Sequence, residues 1–369
     1  MQRIITMLGI LAAVATAAFG EELTGGGAGS VAVRERDVVP VVRNWCSEAF
    51  QFDCHANAML HTLRRQEKLD DVLARGATEF EKQAALMDWT YRRFRFGPPG
   101  RQGVANKPLE ILKALDEGAA FNCAYYADVC SAALRSCGYV TRGVGLKGAR
   151  SDGNGAEHAV LEVWSNQYRK WVLLDPTGNL YCTSAGVPLN AWEIRQAWFA
   201  RKGRDLTLVV DGKPHGVSDL PIDRGTHPGF GRLEINDRSL GKFAILAYTP
   251  ERPDGNPDYG RMFITRDQYA EGIEYHTRRN PTDPAVEPYF PVQQTDIALD
   301  GAGDGILAVR ADTLTPDFAG WRHRLDSGDW AEGAPSTWTL HAGTNTLEIA
   351  AVNKFGVVGR PSRVVVERK

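Results

Sequence analysis

The chain has 369 residues, of which 43% are hydrophobic and 24% charged, and its formal net charge is -2. This composition is typical of a soluble globular protein with two to three domains. Because the chain has neither a net positive charge nor a dense run of Lys and Arg, the sequence gives no electrostatic reason to expect a nucleic acid as partner.

The N-terminus has the pattern of an export signal. Residues 1–20 place Arg3 before an apolar stretch that ends at Ala18, and small residues follow at the positions a signal peptidase reads. We interpret this segment as a removable secretory signal, the alternative being a buried N-terminal helix or an uncleaved anchor. No later apolar run has the length of a membrane span. We therefore expect a secreted or periplasmic protein without stable membrane insertion, with a Gly-rich, flexible leader over residues 21–40.

The middle of the chain predicts one mixed domain. Residues 41–117 have helical periodicity, and a further helix from about residue 121 precedes the short apolar segments TRGVGL, HAVLEVW and WVLLD. A Trp-rich helical segment, NAWEIRQAWFARK, then ends an α+β domain with an antiparallel sheet over residues 41–205. Residues 206–290 are rich in Gly, Pro and Asp, and we interpret them as an irregular extension or a connecting subdomain.

The last part of the chain has a different pattern. From residue 291 to 369, short alternating segments are separated by Gly, Asp and Asn turns, which predicts an antiparallel all-β sandwich. Trp321, Trp330 and Trp338 are expected to fill its core rather than to form a binding platform.

The six cysteines need separate interpretation because export permits disulfides. Cys46 and Cys54 are close enough in sequence for a local bridge, whereas Cys182 has no obvious partner, and spacing alone does not give the connectivity. No pair has the short C-x-x-C or H-x-x-x-H spacing of a zinc site. No Gly-rich phosphate loop follows a strand. We therefore expect neither a metal nor a cofactor.

Three cysteines recur at intervals of seven in AAFNCAYYADVCSAALRSCGY, residues 119–139. Seven residues return a helix to nearly the same face, so one apolar stripe is predicted. Its members are Cys123, Ala127, Cys130, Leu134 and Cys137. Cys130 and Cys137 are interpreted as small buried hydrophobes.

Cys123 differs from the other two because of its place at the start of the helix. Asn122 is a favourable N-cap residue and Gly138 a natural C-terminal stop, which places Cys123 at the first helical position. Unpaired backbone N–H groups and the positive end of the helix dipole favour a thiolate there. Cys123 is therefore a candidate nucleophile.

A predicted β-hairpin supplies partners for this thiol. In EHAVLEVWSNQYRKWVLLDPT, residues 157–177, two apolar strands flank a turn. The register that gathers the alternating apolar side chains on one buried face leaves His158 and Asp175 together on the other, roughly 5–7 Å apart at Cβ. A carboxylate fixes the imidazole tautomer and leaves the second ring nitrogen for a thiol proton. The sequence thus predicts a Cys123–His158–Asp175 triad.

The segments NCAYYADVCSAALRSCGYVTRGVGL, HAVLEVW and WVLLDPT resemble the transglutaminase-like family within the papain-like cysteine superfamily. The resemblance covers roughly residues 75–180 and implies Cys123 as nucleophile, His158 as general base and acid, and Asp175 as orienting carboxylate. The family often has Gly two residues before the cysteine, where this chain has Phe121. The terminal sandwich is similar to immunoglobulin-like or fibronectin-like modules.

The resemblance implies cysteine-dependent acyl transfer on amide bonds of a protein or peptide substrate, as in a cysteine protease, an amide hydrolase or a transglutaminase. Hydrolysis is slightly favoured over transamidation. The backbone N–H of Cys123 is one expected oxyanion donor, with Trp89 and Gln102 as upstream candidates for a second, although Trp89 fits core packing better. A protein or glycan is the candidate partner of the sandwich. Two alternatives are a non-catalytic scaffold of the same fold and a structural disulfide at Cys123.

Overall fold

The computed structural model describes residues 31–98, 103–148, 157–227, 231–250, 262–265 and 287–369, with the backbone of 280–282. The signal predicted at residues 1–20 lies outside the described residues, and so does Gln102. The chain forms two compact units. The first comprises the residues up to Val41, Gln293–Val352 and Val358–Lys369, and the second comprises Val42–Val292 and Asn353–Val357.

Eight α-helices and twenty strands lie in the described ranges, together with short 3₁₀ helices. The helices are α1 (Trp45–Ala49), α2 (Ala58–Gln66), α3 (Leu69–Leu73), α4 (Glu79–Arg93), α5 (Pro108–Asp116), α6 (Cys123–Ser136), α7 (Ala191–Arg201) and α8 (Asp237–Gly241). The strands are β1 (Val31–Asp37), β2 (Thr141–Lys147), β3 (Glu157–Ser165), β4 (Lys170–Leu174), β5 (Leu180–Ser184), β6 (Val187–Pro188), β7 (Thr207–Val210), β8 (Lys213–Gly216), β9 (Ile222–His227), β10 (Gly231–Ile235), β11 (Ile245–Thr249), β12 (Phe263–Thr265), β13 (Asn280–Thr282), β14 (Asp296–Gly303), β15 (Ile306–Asp312), β16 (Phe318–Leu325), β17 (Ala331–Glu332), β18 (Thr337–Thr339), β19 (Gly343–Asn353) and β20 (Ser362–Arg368). None of these helices is long and apolar enough to cross a membrane.

The larger unit is built on a six-stranded sheet in the order β13-β12-β11-β2-β3-β4. All pairings are antiparallel except that of β12 with β13. Side chains from β3 and β4 pack with α2, α4 and α6 in one hydrophobic cluster, to which Leu161, Val163, Val172 and Leu174 belong. Mixed helices and an antiparallel sheet are as predicted, and so is the face that these apolar residues share.

The expected boundary at residue 205 does not hold in the structure. β11 lies within residues 206–290 and pairs with β2 over its whole length, from Ile245↔Lys147 to Thr249↔Gly143. Leu246 and Tyr248 are fully buried. The segment KFAILAY is apolar on both faces, which is the pattern of an interior strand. The surrounding Gly, Pro and Asp residues led to its interpretation as part of an irregular extension.

The expected flexible leader is also wrong for residues 31–37. These residues form β1, which pairs antiparallel with β20 and buries Val31 and Val33 in the core of the smaller unit. The alternation in VAVRERD is that of a strand with one buried face, and the Gly-rich residues before it obscured this signal.

The described residues of the smaller unit form strands and contain no helix. A three-stranded sheet, β14-β15-β18, and a five-stranded sheet, β1-β20-β19-β16-β17, contribute to one hydrophobic cluster. Trp338 is buried in this cluster and Trp321 packs against it. Trp330 instead lies near the guanidinium groups of Arg322 and Arg324, at 5.6 and 5.1 Å from their central carbons. An immunoglobulin-like assignment stays a prediction.

Candidate active site

The helix that carries the candidate nucleophile begins where the sequence predicts. Asn122 has an extended backbone, and its Oδ1 accepts a hydrogen bond from the Ala124 N–H at 3.2 Å, so α6 starts at Cys123. At the other end, Gly138 has a φ of 85°, which glycine tolerates best, and it ends the helix. The thiol therefore lies in the first turn, at the positive end of the helix dipole.

The predicted apolar stripe of α6 is present. Ala127, Cys130, Leu134 and Cys137 are buried in the hydrophobic cluster, whereas Cys123 at the end of the stripe is partly exposed. Burial raises the pKa of Cys130 to about 12 and that of Cys137 to about 11. These two thiols are small packing groups, as interpreted, and are protonated near neutral pH.

No disulfide joins any of the six cysteines, all of which lie in the described ranges. The local bridge between Cys46 and Cys54 that the spacing allows is not formed. A structural disulfide of Cys123 with Cys182 is not formed either. Cys182 is buried, and burial raises the pKa of its thiol to about 12.

The predicted imidazole and carboxylate lie in hydrogen-bonding contact. β3 and β4 pair in the register Val163↔Val172 and Leu161↔Leu174, and Asp175 follows the last residue of β4. His158 Nε2 is 2.8 Å from Asp175 Oδ2. Because Nε2 faces the carboxylate, Nδ1 is the nitrogen left for the thiol.

Cys123 completes the group. Its side chain hydrogen-bonds to His158, and the backbone N–H of Ala159 donates to its sulfur. The ladder between β3 and β4 ends at Leu161↔Leu174, so Ala159 lies beyond the last paired residue. One strand thus presents both an imidazole and a backbone donor to the thiol.

The electrostatics of the group favour a thiolate–imidazolium pair. Burial by itself would raise the pKa of Cys123, but the hydrogen bond and positive charge of His158 and the Ala159 N–H outweigh it and lower this pKa. Burial opposes the charge of His158, yet Asp175, together with Cys123, raises the pKa of its imidazole to about 10. His158 in turn lowers the pKa of Asp175 against the effect of burial.

Phe121 stands where the family often has glycine, and it anchors the loop that leads into α6. Its N–H donates to the Arg95 carbonyl at 3.0 Å, and its carbonyl accepts from the Gly97 N–H at 3.1 Å. Its ring is fully buried, 4.6 Å from that of Tyr125. The loop before Cys123 is therefore held by backbone pairing and by aromatic packing.

Of the two upstream candidates for a second oxyanion donor, Trp89 and Gln102, the structure describes only Trp89. Trp89 lies in α4 with its side chain in the hydrophobic cluster, in agreement with core packing. Gln102 lies outside the described residues.

Asp175 also forms a turn, a role that its place before Pro176 suggests as an alternative to the triad and that the structure combines with it. Asp175 Oδ1 accepts hydrogen bonds from the N–H groups of Thr177, at 3.0 Å, and Gly178, at 3.2 Å. The backbones of Asp175 and Leu180 also exchange two hydrogen bonds, of 2.8 and 3.0 Å. The signal was present as an Asp followed by Pro, Thr, Gly and Asn, a composition that favours a side-chain-capped turn.

The model of the transglutaminase-like superfamily matches residues 66–176, a range that includes Cys123, His158 and Asp175 and spans just under a third of the chain. The match supports a cysteine-based acyl-transfer family at this coarse level. The crystal structure of red sea bream transglutaminase is similar at a TM-score of 0.24 and 12% identity, over 78% of this chain and 69% of that chain. No curated protein sequence matches the chain.

Proposed function

We propose that this protein is an exported cysteine enzyme that transfers acyl groups from amide bonds of proteins or peptides through a thioester. The observation that carries the proposal is the hydrogen-bonded series Cys123–His158–Asp175, with a lowered thiol pKa and a raised imidazole pKa. A nucleophile, a base in contact with it and a group that orients the base are the parts such chemistry requires.

The first step forms a carbon–sulfur bond. The Cys123 thiolate attacks the amide carbonyl, and the developing oxyanion is stabilised by the backbone N–H of Cys123. The His158 imidazolium then gives its proton to the amine nitrogen, the carbon–nitrogen bond breaks, and a thioester remains. Asp175 keeps the imidazole oriented throughout and stabilises its positive charge.

The second step releases the acyl group. His158, now neutral, removes a proton from water, and the resulting attack gives a carboxylic acid and regenerates the thiolate–imidazolium pair. We propose water as the main acceptor, because Cys123 is partly exposed and 16% of the His158 side-chain surface is accessible. A primary amine that takes the place of water yields a new amide, as in a cross-linking reaction.

The test of the nucleophile is the pH dependence of iodoacetamide alkylation at Cys123, located by mass spectrometry, in the wild type and in His158→Ala. We expect the wild-type thiol to react well below the ordinary thiol pKa of about 8.5, and the variant to lose that low-pH reactivity. Equal, ordinary titration in both proteins would refute the triad. A non-catalytic scaffold that retains the fold would then be the better interpretation.

A second experiment compares water and a primary amine as acceptors of the acyl group. Unfolded protein substrates are incubated with the enzyme and a fluorescent primary amine, and the products are resolved by mass. We expect addition of water to exceed incorporation of the amine, and both to disappear in Cys123→Ser. Amine incorporation that exceeds hydrolysis would reverse the proposed preference and leave the thioester step standing.

The proposal also includes export and a partner for the smaller unit. The N-terminal pattern of a basic residue, an apolar run and small residues supports cleavage after residue 20. The mature N-terminus, determined on protein recovered from the periplasm or the medium, tests this. The two sheets of the smaller unit fit an accessory module that binds a protein or a glycan, and deletion of that unit should affect localisation of activity more than the reaction itself.

A further inference from the structure

The turn that carries Asp175 is tied to parts of the chain outside the region that matches the family model. Asn179 lies in this turn with a left-handed φ of 47° and is nearly fully buried. Its Nδ2 donates to Asp88 Oδ1 and to Asp211 Oδ1, each at 2.9 Å. The two hydrogens of one amide therefore bind two carboxylates from two different elements.

The second carboxylate belongs to the β7–β8 turn and is itself fixed. The N–H of Asp211 donates to the Asn179 carbonyl at 3.1 Å, which gives the two turns a second connection. Arg224 of β9 binds Asp211 with both terminal nitrogens, at 2.5 and 3.2 Å. This bidentate geometry is the strongest form of a guanidinium–carboxylate pair.

Arg224 is placed with little freedom. Only 11% of its side-chain surface is exposed, and its guanidinium carbon lies 5.0 Å from the centre of the Tyr91 ring in α4. Burial opposes the charge of Arg224, but its hydrogen bond to Asp211 and the nearby charges, with that of Asp175 as a smaller contribution, raise the pKa of Arg224. Without this cation, the Asp211 carboxylate would lose its ion-pair partner while it shares the Asn179 amide with the Asp88 carboxylate.

We propose that Asn179, Asp211 and Arg224 form a positioning clamp that holds the Asp175 carboxylate against His158. None of the three touches the thiol or the imidazole. They act through the backbone of the turn, whose N–H groups at Thr177 and Gly178 bind Asp175 Oδ1 while Oδ2 binds His158. Hydrogen bonds of this kind hold a catalytic side chain within the small deviation in position that catalysis tolerates.

The clamp gives residues beyond 205 a role in the site. Asp211 and Arg224 belong to β7–β9, which precede β11 of the central sheet. They reach the site through the hydrogen bonds of Asp211 to Asn179 in the 175–180 turn and through the attraction between the charges of Arg224 and Asp175. The inference rests on the proposed function, since a positioning role has meaning only if the triad forms.

The test measures the Cys123–His158 pair without any substrate. The pH profile of Cys123 alkylation is recorded for Asn179→Ala, Arg224→Gln and Asp211→Asn, with Asp223→Asn as matched control. Asp223 lies next to Arg224 on β9 but binds the exposed Arg232, at 3.0 Å. The charge of Asp175 interacts with six titratable groups, and apart from the substituted residue these are the same in every variant. They are His158, Cys123, Tyr126, Cys130, Cys182 and Arg224.

We expect each of the three clamp variants to raise the pKa of the Cys123 thiol by about one unit. The alkylation rate at about pH 6 should then fall about tenfold. The control should follow the wild type. Arg224→Lys, which keeps the charge but loses the bidentate contact, should recover part of the rate. If Asn179→Ala does not fold, the milder Arg224→Gln and Asp211→Asn decide the question.

Two failures are distinguishable in the same data. If His158→Ala leaves the wild-type profile unchanged, the triad and the proposed function fail together. If His158→Ala abolishes the low-pH reactivity but folded clamp variants titrate like the wild type, the clamp alone is overturned.

Discussion

Arg142 and Glu162 lie directly opposite each other on β2 and β3, and neither side chain exposes any surface. The guanidinium Nη2 and Nε are 2.6 and 2.8 Å from Glu162 Oε2. Glu162 Oε1 accepts from the Ala191 N–H at 2.8 Å, and the Arg142 guanidinium carbon lies 4.2 Å from the Trp171 ring centre. Both buried charges therefore have partners: each other, the Ala191 N–H for Glu162, and the Trp171 ring for Arg142.

From this pairing we predict a large penalty for removing one partner alone. Arg142→Met or Glu162→Gln should lower the free energy of unfolding by about 3–5 kcal/mol, because an uncompensated charge or donor stays buried. The double replacement should cost clearly less than the sum of the two. Urea denaturation of all four proteins measures both effects.

The matched control for that series is an exposed pair. Arg201 and Asp205 lie 2.7 Å apart with 60% and 48% of their side-chain surfaces accessible, so Asp205→Asn should change stability by less than about 1 kcal/mol. A cost of that small size for Arg142→Met would show that the buried pair is not held as described.

The N-cap of α6 should affect both stability and reactivity. Asn122→Ala removes the acceptor of the Ala124 N–H, so we expect a loss of about 1 kcal/mol and slower alkylation of Cys123 near neutral pH. The matched control is the N-cap of α7, where Asn190 Oδ1 accepts a hydrogen bond from the Glu193 N–H at 2.8 Å; Asn190→Ala removes this bond. That variant should lose similar stability with unchanged alkylation. Equal alkylation in both would indicate that the helix start does not tune the thiol.

Alkylation of the native protein should be selective. Burial raises the pKa of Cys130, Cys137 and Cys182, and Cys46 and Cys54 are buried as well. We therefore predict one modified cysteine per folded chain, at Cys123, and six after denaturation without a reductant. Fewer than six thiols in the denatured protein would reveal a disulfide and contradict the structure.

The interaction of His158 with Asp175 should stabilise the fold only in a defined pH window. Asp175 has a lowered pKa, so its contribution is present above the ordinary carboxylate value of about 3.9 and is lost as the pH falls through the folded value. His158 has a pKa raised to about 10, so its contribution is complete below the ordinary imidazole value of about 6.5 and is lost as the pH rises through the folded value.

The measurement compares the free energy of unfolding of the wild type and Asp175→Asn across pH. Their difference should be largest between the two ordinary values and should shrink toward both extremes. In the variant, burial acts on His158 without the Asp175 charge, so the imidazolium is less stable and alkylation of Cys123 near neutral pH should also slow. A difference in stability that does not vary with pH would mean that the two side chains are not an ion pair.

The sequence was sufficient for the hairpin and the helix because both have local signals. Asn122 and Gly138 delimit α6, and the alternating apolar residues of β3 and β4 leave only one register that keeps Asp175 out of the core. The register of the hairpin alone brings His158 and Asp175 together. The approach of Cys123 to this pair was expected from the family resemblance, because no local signal shows where α6 packs.

The rest depended on contacts between distant segments, for which the sequence has no comparable signal. β11 is recognisable as apolar, but nothing local indicates that it pairs with β2. Asn179 has the composition of a turn, while its bonds to Asp88 and Asp211 arise only once β7 and α4 are in place. The proximity of Cys46 and Cys54 in sequence suggested a bridge that the fold does not make.

The late position of β11 has a consequence for how the protein reaches its native state. Gly145 and Ala247 are neighbours in the sheet, although about a hundred residues separate them, and closing so long a loop costs conformational entropy before the contact stabilises anything. Until residue 249 is available, the edge of β2 has unpaired backbone groups that can pair with another chain. A chain that ends between Asp175 and β11 would therefore carry all three reactive residues and still expose the unpaired edge of β2, which makes it prone to aggregate.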